Sequence, residues 1–198
     1  MEIPLYGLVL AGGKSTRMHE DKSLLNYHGK SQVVFCYELL GGFCEKVFVS
    51  NRKDQAQWPQ HKTLPQIHDH DEYKNIGPLS GILSAMKKYP NAAWLVLACD
   101  LPYVKAKTLE ALLEKRNPLK MATAYLSSHD GLPEPLCAIY ESHSHKKIIE
   151  FLHQDMVCPR QILIRSDTKL LDPQDKAALE NINDPKEYKA ALKKVRHG

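Results

Sequence analysis

Residues Ala93–Cys99 read AWLVLAC, an unbroken apolar run that ends at Asp100. A strand with one solvated face alternates apolar and polar positions. A run with no polar position suits a strand covered on both faces, as in the middle of a parallel sheet. That requirement sets the rest of the chain the task of supplying two helical layers.

The flanking pattern meets it. Tyr6–Leu10 is a first apolar run, stopped by Gly12-Gly13, and Lys46–Ser50 (KVFVS) is a second, closed by Asn51. Lys62–Ile67 is expected as a third strand, Met121–Leu126 and Leu136–Tyr140 as later ones, and Ile162–Ile164 as a short last one. Between them, Val33, Val34, Tyr37 and Leu40 fall at helical spacing, as do Leu79, Ile82, Leu83 and Met86, and then Leu109, Leu112 and Leu113. Pro90 marks a helix stop. Ser144–His153 and Lys186–Val195 complete the expected helices. Strands alternating with helices predict βαβ crossovers and an α/β fold with a mostly parallel, twisted sheet covered on both sides. Such sheets hold ligands beyond the carboxyl ends of their strands. Chemistry is therefore expected in the loops Ala11–Lys22, Asn51, Asp69–Gly77 and Asp100–Pro102.

The 198 residues suit one domain over 1–198. The net charge of +4 fits a small polyanion such as a nucleotide. The basic residues are scattered apart from Lys189–Arg196, which argues against nucleic acid. The five cysteines include no C-x-x-C pair, and Cys99 and Cys137 sit in apolar runs as small core residues. No run approaches the ~18 apolar residues of a membrane span, and the opening segment reads as a strand rather than a signal peptide. A cytoplasmic chain with reduced thiols is expected.

The first strand runs into Leu10–Lys22, LAGGKSTRMHEDK. Glycines let the backbone approach a ligand, and successive N–H groups in such a turn form an anion-binding concavity. Arg17 and Lys22 would neutralise phosphate charge. Two familiar motifs fail. Gly7 and Gly12 have P-loop spacing, but Gly13 occupies the lysine position, and Gly12-Gly13 breaks the dinucleotide fingerprint. A plain glycine turn with exposed cations is the competing reading. Asp100 ends the central strand, either as a ligand of Mg²⁺ or as a helix N-cap. Asn51 can bond a base or ribose, or simply form a turn. The run His68-Asp69-His70-Asp71 is a solvated loop or, less simply, a zinc site.

Leu10-Ala11-Gly12-Gly13-Lys14-Ser15-Thr16-Arg17-Met18, followed by Asp21-Lys22, resembles the signature of the molybdenum cofactor guanylyltransferase family. Gly77-Pro78-Leu79-Ser80-Gly81 is similar to its G-P-L-x-G, Cys99-Asp100-Leu101-Pro102 to its C-D-x-P, and Asn181-Ile182-Asn183-Asp184-Pro185 to its N-x-N-x-P. The order agrees over roughly residues 5–188. His19-Glu20 stands where the family often has glycine, and Gly131–Tyr140, expected to face the acceptor, matches less specifically.

The resemblance implies a three-layer α/β/α sandwich of the Rossmann-like nucleotide-diphospho-sugar transferase type. It implies GTP as donor, molybdopterin or metal-loaded molybdenum cofactor as acceptor, and Mg²⁺ as cofactor. Catalysis is carried by Arg17, Lys22 and Asp100, with Asp100 on the metal. Nucleotide is held by Leu10, Ala11, Gly12, Gly13, Lys22, Asn51, Asp71, Gly77, Pro78, Leu79 and Asp100. Asp71 fits the family spacing and Asp69 competes with it. Asn181 and Asn183 contact metal or acceptor, or else cap the last helix. Transient contact with other cofactor-biosynthesis proteins or molybdoenzymes follows from the same resemblance. The rival activities are cytidylyl transfer to the same cofactor, nucleotidylyl transfer to a sugar phosphate, and non-catalytic nucleotide sensing.

Overall fold

A computed structural model describes residues 3–13, 18 and 20–197. Among the described residues, seven strands form one sheet in the order β3-β2-β1-β4-β6-β5-β7. They are β1 (Leu5–Leu10), β2 (Lys46–Ser50), β3 (Gln66–Ile67), β4 (Ala93–Ala98), β5 (Ala122–Leu126), β6 (Pro133–Tyr140) and β7 (Thr168–Leu171). The helices are α1 (Gln32–Gly41), α2 (Pro78–Lys88), α3 (Ala106–Glu114), α4 (Ser144–Leu152), α5 (Pro159–Ile164) and α6 (Pro185–His197).

β1 is parallel to both β2 and β4, with Leu10 level with Ser50 on one side and Ala98 on the other. Their carboxyl ends therefore finish in one row. β6 runs antiparallel to β4 and to β5, so the sheet is mixed on that side, and β7 returns parallel to β5.

Alternation along β4 sorts its side chains between two cores. Leu95 and Leu97 pack with Val33, Cys36 and Leu40 of α1 and with Leu109 and Leu112 of α3. Trp94 and Val96 pack with Leu79, Ile82, Leu83 and Met86 of α2 and with Ile148 and Phe151 of α4. Every β4 side chain is buried, as an apolar run without polar positions requires. Each large one contributes about 1.5–3 kcal/mol by leaving water. The expected sandwich is thus formed. A third cluster joins Met18, Leu25 and Tyr27, after the glycine loop, to Tyr103, Ile182 and Ala191 near α6.

Two expectations are corrected. Ile162–Ile164 is the end of helix α5, not a strand, and the last strand is Thr168–Leu171. Pro159 starts that helix at its first position, where a missing N–H costs nothing, and Ile162 and Leu163 bury one face. Three apolar residues cannot separate the two periods. The third strand shrinks from Lys62–Ile67 to Gln66–Ile67, because His61–Leu64 is a hydrogen-bonded turn.

Candidate active site

The carboxyl ends of β1, β2 and β4 and the start of α2 enclose a cleft of about 660 Å³. Leu10, Ala11, Gly12 and Gly13 form one wall. Gly77, Pro78, Ser80 and Gly81 of the α2 start form another, with Ser50, Arg52 and Asp69 between them. Asp100, Lys22, Asn183 and Leu136 lie at the far side.

Two glycines make this geometry feasible. Gly77 has φ +64°, a conformation that β-carbons disfavour, and it turns the chain into Pro78 at the helix start. A β-carbon on Gly81 would stand 2.2 Å from Ser50 Oγ, so only glycine lets α2 approach β2 this closely.

Lys22 is aimed across the cleft. Asp21 caps the short 3-10 turn Lys22–Leu24 by accepting from Ser23 N at 3.0 Å. Lys22 Nζ then donates to Asn183 Oδ1 at 2.7 Å and lies 3.6 Å from Asp100 Oδ2. Both charged side chains are 19% exposed. Ile182 N donates to the carbonyl of Asp100 at 2.9 Å, which straps the Asn-Ile-Asn segment over the end of β4. Burial pushes the Asp100 carboxyl above its ordinary value, and the Lys22 ammonium pulls against it. Among the described residues, Asp100 Oδ1 is buried with no hydrogen-bond partner. A buried carboxylate oxygen left open in this way suits a cation ligand.

The glycine loop is braced from β2. Arg52 Nη1 donates to the carbonyls of Gly12 and Gly13 at 3.0 and 2.8 Å, and Gln55 Nε2 donates to that of Ala11 at 2.9 Å. With its carbonyls held by Arg52, the peptide joining Gly12 to Gly13 has its N–H on the opposite side.

Several expected site residues are placed elsewhere. Asn51 is 2% exposed and does not line the cleft. Its amide bonds His61 and Gln66, because Ser50 faces the cleft and strand alternation turns the next side chain away. Asp71 has an 81% exposed side chain paired with Lys74 at 2.5 Å, while Asp69 lines the cleft. Burial pushes the Asp69 carboxyl above its ordinary value. Leu79 is fully buried on the core face of α2. Asn181 is absent from the lining and Asn183 present. Arg17 lies outside the described residues.

Sequence reading missed Arg52, Ser23, Asn75 and Gln55. Arg52 had a usable signal, since it follows a strand at its carboxyl end. Gln55 had none.

With this geometry in view, comparison with known proteins is decisive. The MobA-like NTP transferase domain matches residues 7–169. The chain belongs to that family, and it is a nucleotidyltransferase. A "Probable molybdenum cofactor guanylyltransferase" of Bacillus cereus is 31% identical over 94% of this chain and 95% of its own. A "Molybdenum cofactor biosynthesis bifunctional protein" of Synechocystis is 39% identical over 94% of this chain. The chain spans about half, 53%, of that longer relative. Among solved structures, molybdopterin-guanine dinucleotide biosynthesis protein A from Archaeoglobus fulgidus superposes with a TM-score of 0.79 at 24% identity, covering 98% of this chain and 100% of the other. The shared fold is that of the MobA-like family.

Proposed function

We propose that the cleft transfers GMP from GTP to the terminal phosphate of molybdopterin, forming the guanine dinucleotide cofactor and releasing pyrophosphate. The observation that carries this reading is the meeting of Lys22, Asp100 and Asn183 at the end of a glycine loop. The relatives' names supply guanine and the pterin, and the cleft supplies charge and room.

The loop Leu10–Gly13 presents backbone to the nucleotide, and Lys22 neutralises charge on the triphosphate as pyrophosphate departs. Arg17 is proposed to add to that charge. Asn183 holds Lys22 in its direction across the cleft. Asp69, which lines the cleft, is proposed to accept from the nucleoside. The attacking phosphate has a second pKa of about 6 and is ionised near neutral pH, so no strong base is required. Positioning and charge neutralisation carry such transfers.

Mg²⁺ fits the residues present. Among the described residues no cluster of three or more His, Cys, Asp or Glu is arranged to hold a metal unaided. Mg²⁺ characteristically takes one or two carboxylates and completes its shell with water and substrate phosphate. Asp100, whose Oδ1 has no partner among the described residues, is the carboxylate that would hold it, and the ion would polarise the α-phosphate. The proposal places the reaction in the cytoplasm.

Calorimetric titration of GTP, CTP, ATP and UTP in the presence of Mg²⁺ tests the donor. Preference for GTP supports the reading. Preference for CTP moves the protein to cytidylyl transfer, and binding without pyrophosphate release in the presence of molybdopterin makes it a sensor.

A further inference from the structure

At and behind the cleft lining lies a set of buried polar side chains that the reaction does not use directly. Ser23, Asn51, Gln55 and His61 are each at most 2% exposed. Such burial is costly unless the groups are paired, and here each polar side-chain atom except Asn51 Oδ1 has a partner among the described residues. The pairing here also has a direction.

Gln66 sets it. Its Nε2 donates to the carbonyls of Ala56 at 3.1 Å and His61 at 2.9 Å, using both hydrogens. Its Oε1 must then accept, and it does so from Asn51 Nδ2 at 2.9 Å. The second hydrogen of Asn51 Nδ2 points to His61 Nδ1 at 3.0 Å. That ring nitrogen is therefore bare, and the proton sits on Nε2. His61 Nε2 in turn meets Ser23 Oγ at 3.1 Å, and Ser23 Oγ donates to Asp21 Oδ1 at 2.6 Å.

The chain ends on a carboxylate that is fully engaged. Asp21 Oδ1 also accepts from Ser23 N at 3.0 Å. Asp21 Oδ2 accepts from Gln55 Nε2 at 2.9 Å and from Arg52 Nη2 at 3.4 Å. Gln55 and Arg52 hold the carbonyls at the entry of the glycine loop, and Asp21 immediately precedes Lys22 at its exit. One carboxylate thus fixes both ends of the loop to each other.

We propose that His61, as the neutral Nε2–H tautomer, is a positioning residue for Lys22, acting through Ser23 and Asp21. The consequence for transfer rests on the functional reading above, whereas the tautomer does not. Lys22 works on charge that develops as pyrophosphate leaves. A loosened Lys22 should therefore lower kcat more than it raises KM for the triphosphate.

The test has two arms. In the first, long-range ¹H–¹⁵N NMR of the full chain at neutral pH reads the His61 ring nitrogens without substrate. The expected result is the Nε2–H tautomer, with the Nε2 resonance shifted in Ser23→Ala. The Nδ1–H form or an imidazolium overturns the proposal.

In the second arm, pyrophosphate release from GTP with molybdopterin is measured for His61→Phe, His61→Gln and Ser23→Ala, normalised to folded protein. His61→Phe keeps a ring against Trp58, which meets His61 edge-on at 5.7 Å. It should lose about tenfold or more in kcat with KM changed less than about threefold. His61→Gln can accept at Oε1 and donate at Nε2, and it should recover to within about threefold of wild type. Should His61→Phe fail to fold, Ser23→Ala breaks the same link with a smaller change and should show the same loss in kcat. Variants that lower Tm but keep wild-type kcat overturn the proposal, because His61 would then only support the fold. A wild-type protein idle with GTP and molybdopterin overturns the functional reading instead, and the tautomer arm then decides the relay alone.

Discussion

Lys22 Nζ lies 3.6 Å from Asp100 Oδ2 and 2.7 Å from Asn183 Oδ1, so one lysine joins segments drawn from the two ends and the middle of the chain. The strap that brings Asn183 there is itself bonded to the Asp100 backbone. Lys22→Ala should therefore lower kcat/KM for guanylyl transfer by about 100-fold or more, the scale of removing one charge-stabilising donor. Asn183→Ala should cost less, about tenfold, because it removes one partner of the ammonium and leaves its pairing with Asp100. Steady-state pyrophosphate release checks both, and equal losses would contradict the assigned division of roles.

Asp100 should be a site where activity costs stability. Burial raises its carboxyl pKa above the unfolded value, so the ionised form is disfavoured on folding at neutral pH despite Lys22. Asp100→Asn removes that charge at nearly constant shape. The expected outcome is lost turnover with a Tm equal to or above wild type in calorimetry. A clear drop in Tm would mean that the Lys22 pairing outweighs desolvation.

The cleft width depends on a missing side chain. Gly81→Ala sets a β-carbon 2.2 Å from Ser50 Oγ and 3.1 Å from Leu10 Cδ2. Overpacking of this kind costs about 1–3 kcal/mol. It should also push α2 away from β2 and raise KM for the triphosphate. Ser50→Ala in the same chain should return part of the stability, and a denaturation double-mutant cycle measures the coupling.

Exposure favours Asp69 over Asp71 as the aspartate that faces the nucleotide. Asp69→Ala should weaken triphosphate binding by about tenfold, the scale of one hydrogen bond to a charged group. Asp71→Ala should change it by less than about twofold, as for an exposed surface pair. Calorimetric Kd values distinguish them, and the reverse order would restore Asp71.

Acid should weaken the fold through its histidines. Burial lowers the pKa values of His28, His61 and His145, with the bond from His28 to the Pro102 carbonyl acting in the opposite sense. A histidine with a depressed folded pKa takes up its proton first in the unfolded chain. The penalty is absent well above about pH 6.5 and grows as pH falls below it, towards the folded pKa. Buried carboxylates such as Glu134 shift the opposite way, so the informative quantity is a difference. The stability of His61→Gln relative to wild type should rise as pH drops from about 7.5 to 5.5. A difference that stays flat would show that folding does not lower the pKa of His61.

The parts legible in the sequence were those whose signal is local. The AWLVLAC run suits a strand covered on both faces, and the structure buries all of β4. The glycine loop and Asp100-Leu101-Pro102 follow strands, and the parallel register brings their ends together. Ile162–Ile164 was not legible as helix, because three residues hold less than one helical turn and Pro159 was the only cue. Asn51 and Asp71 lie outside the cleft lining for a different reason. Motif spacing counts residues but does not record which way a side chain points, and a shift of one or two positions exchanges cleft for solvent or interior. The bracing by Gln55, His61 and Gln66 could not be read at all, since its members share no period and meet only when Lys53–Ile67 folds back under the glycine loop.

The most direct test of the central claim is pyrophosphate release from GTP by wild-type protein, with Mg²⁺, in the presence and absence of molybdopterin. The account predicts release that requires molybdopterin, prefers GTP to CTP, and disappears in Asp100→Asn. Release that ignores molybdopterin, or persists in Asp100→Asn, would contradict it.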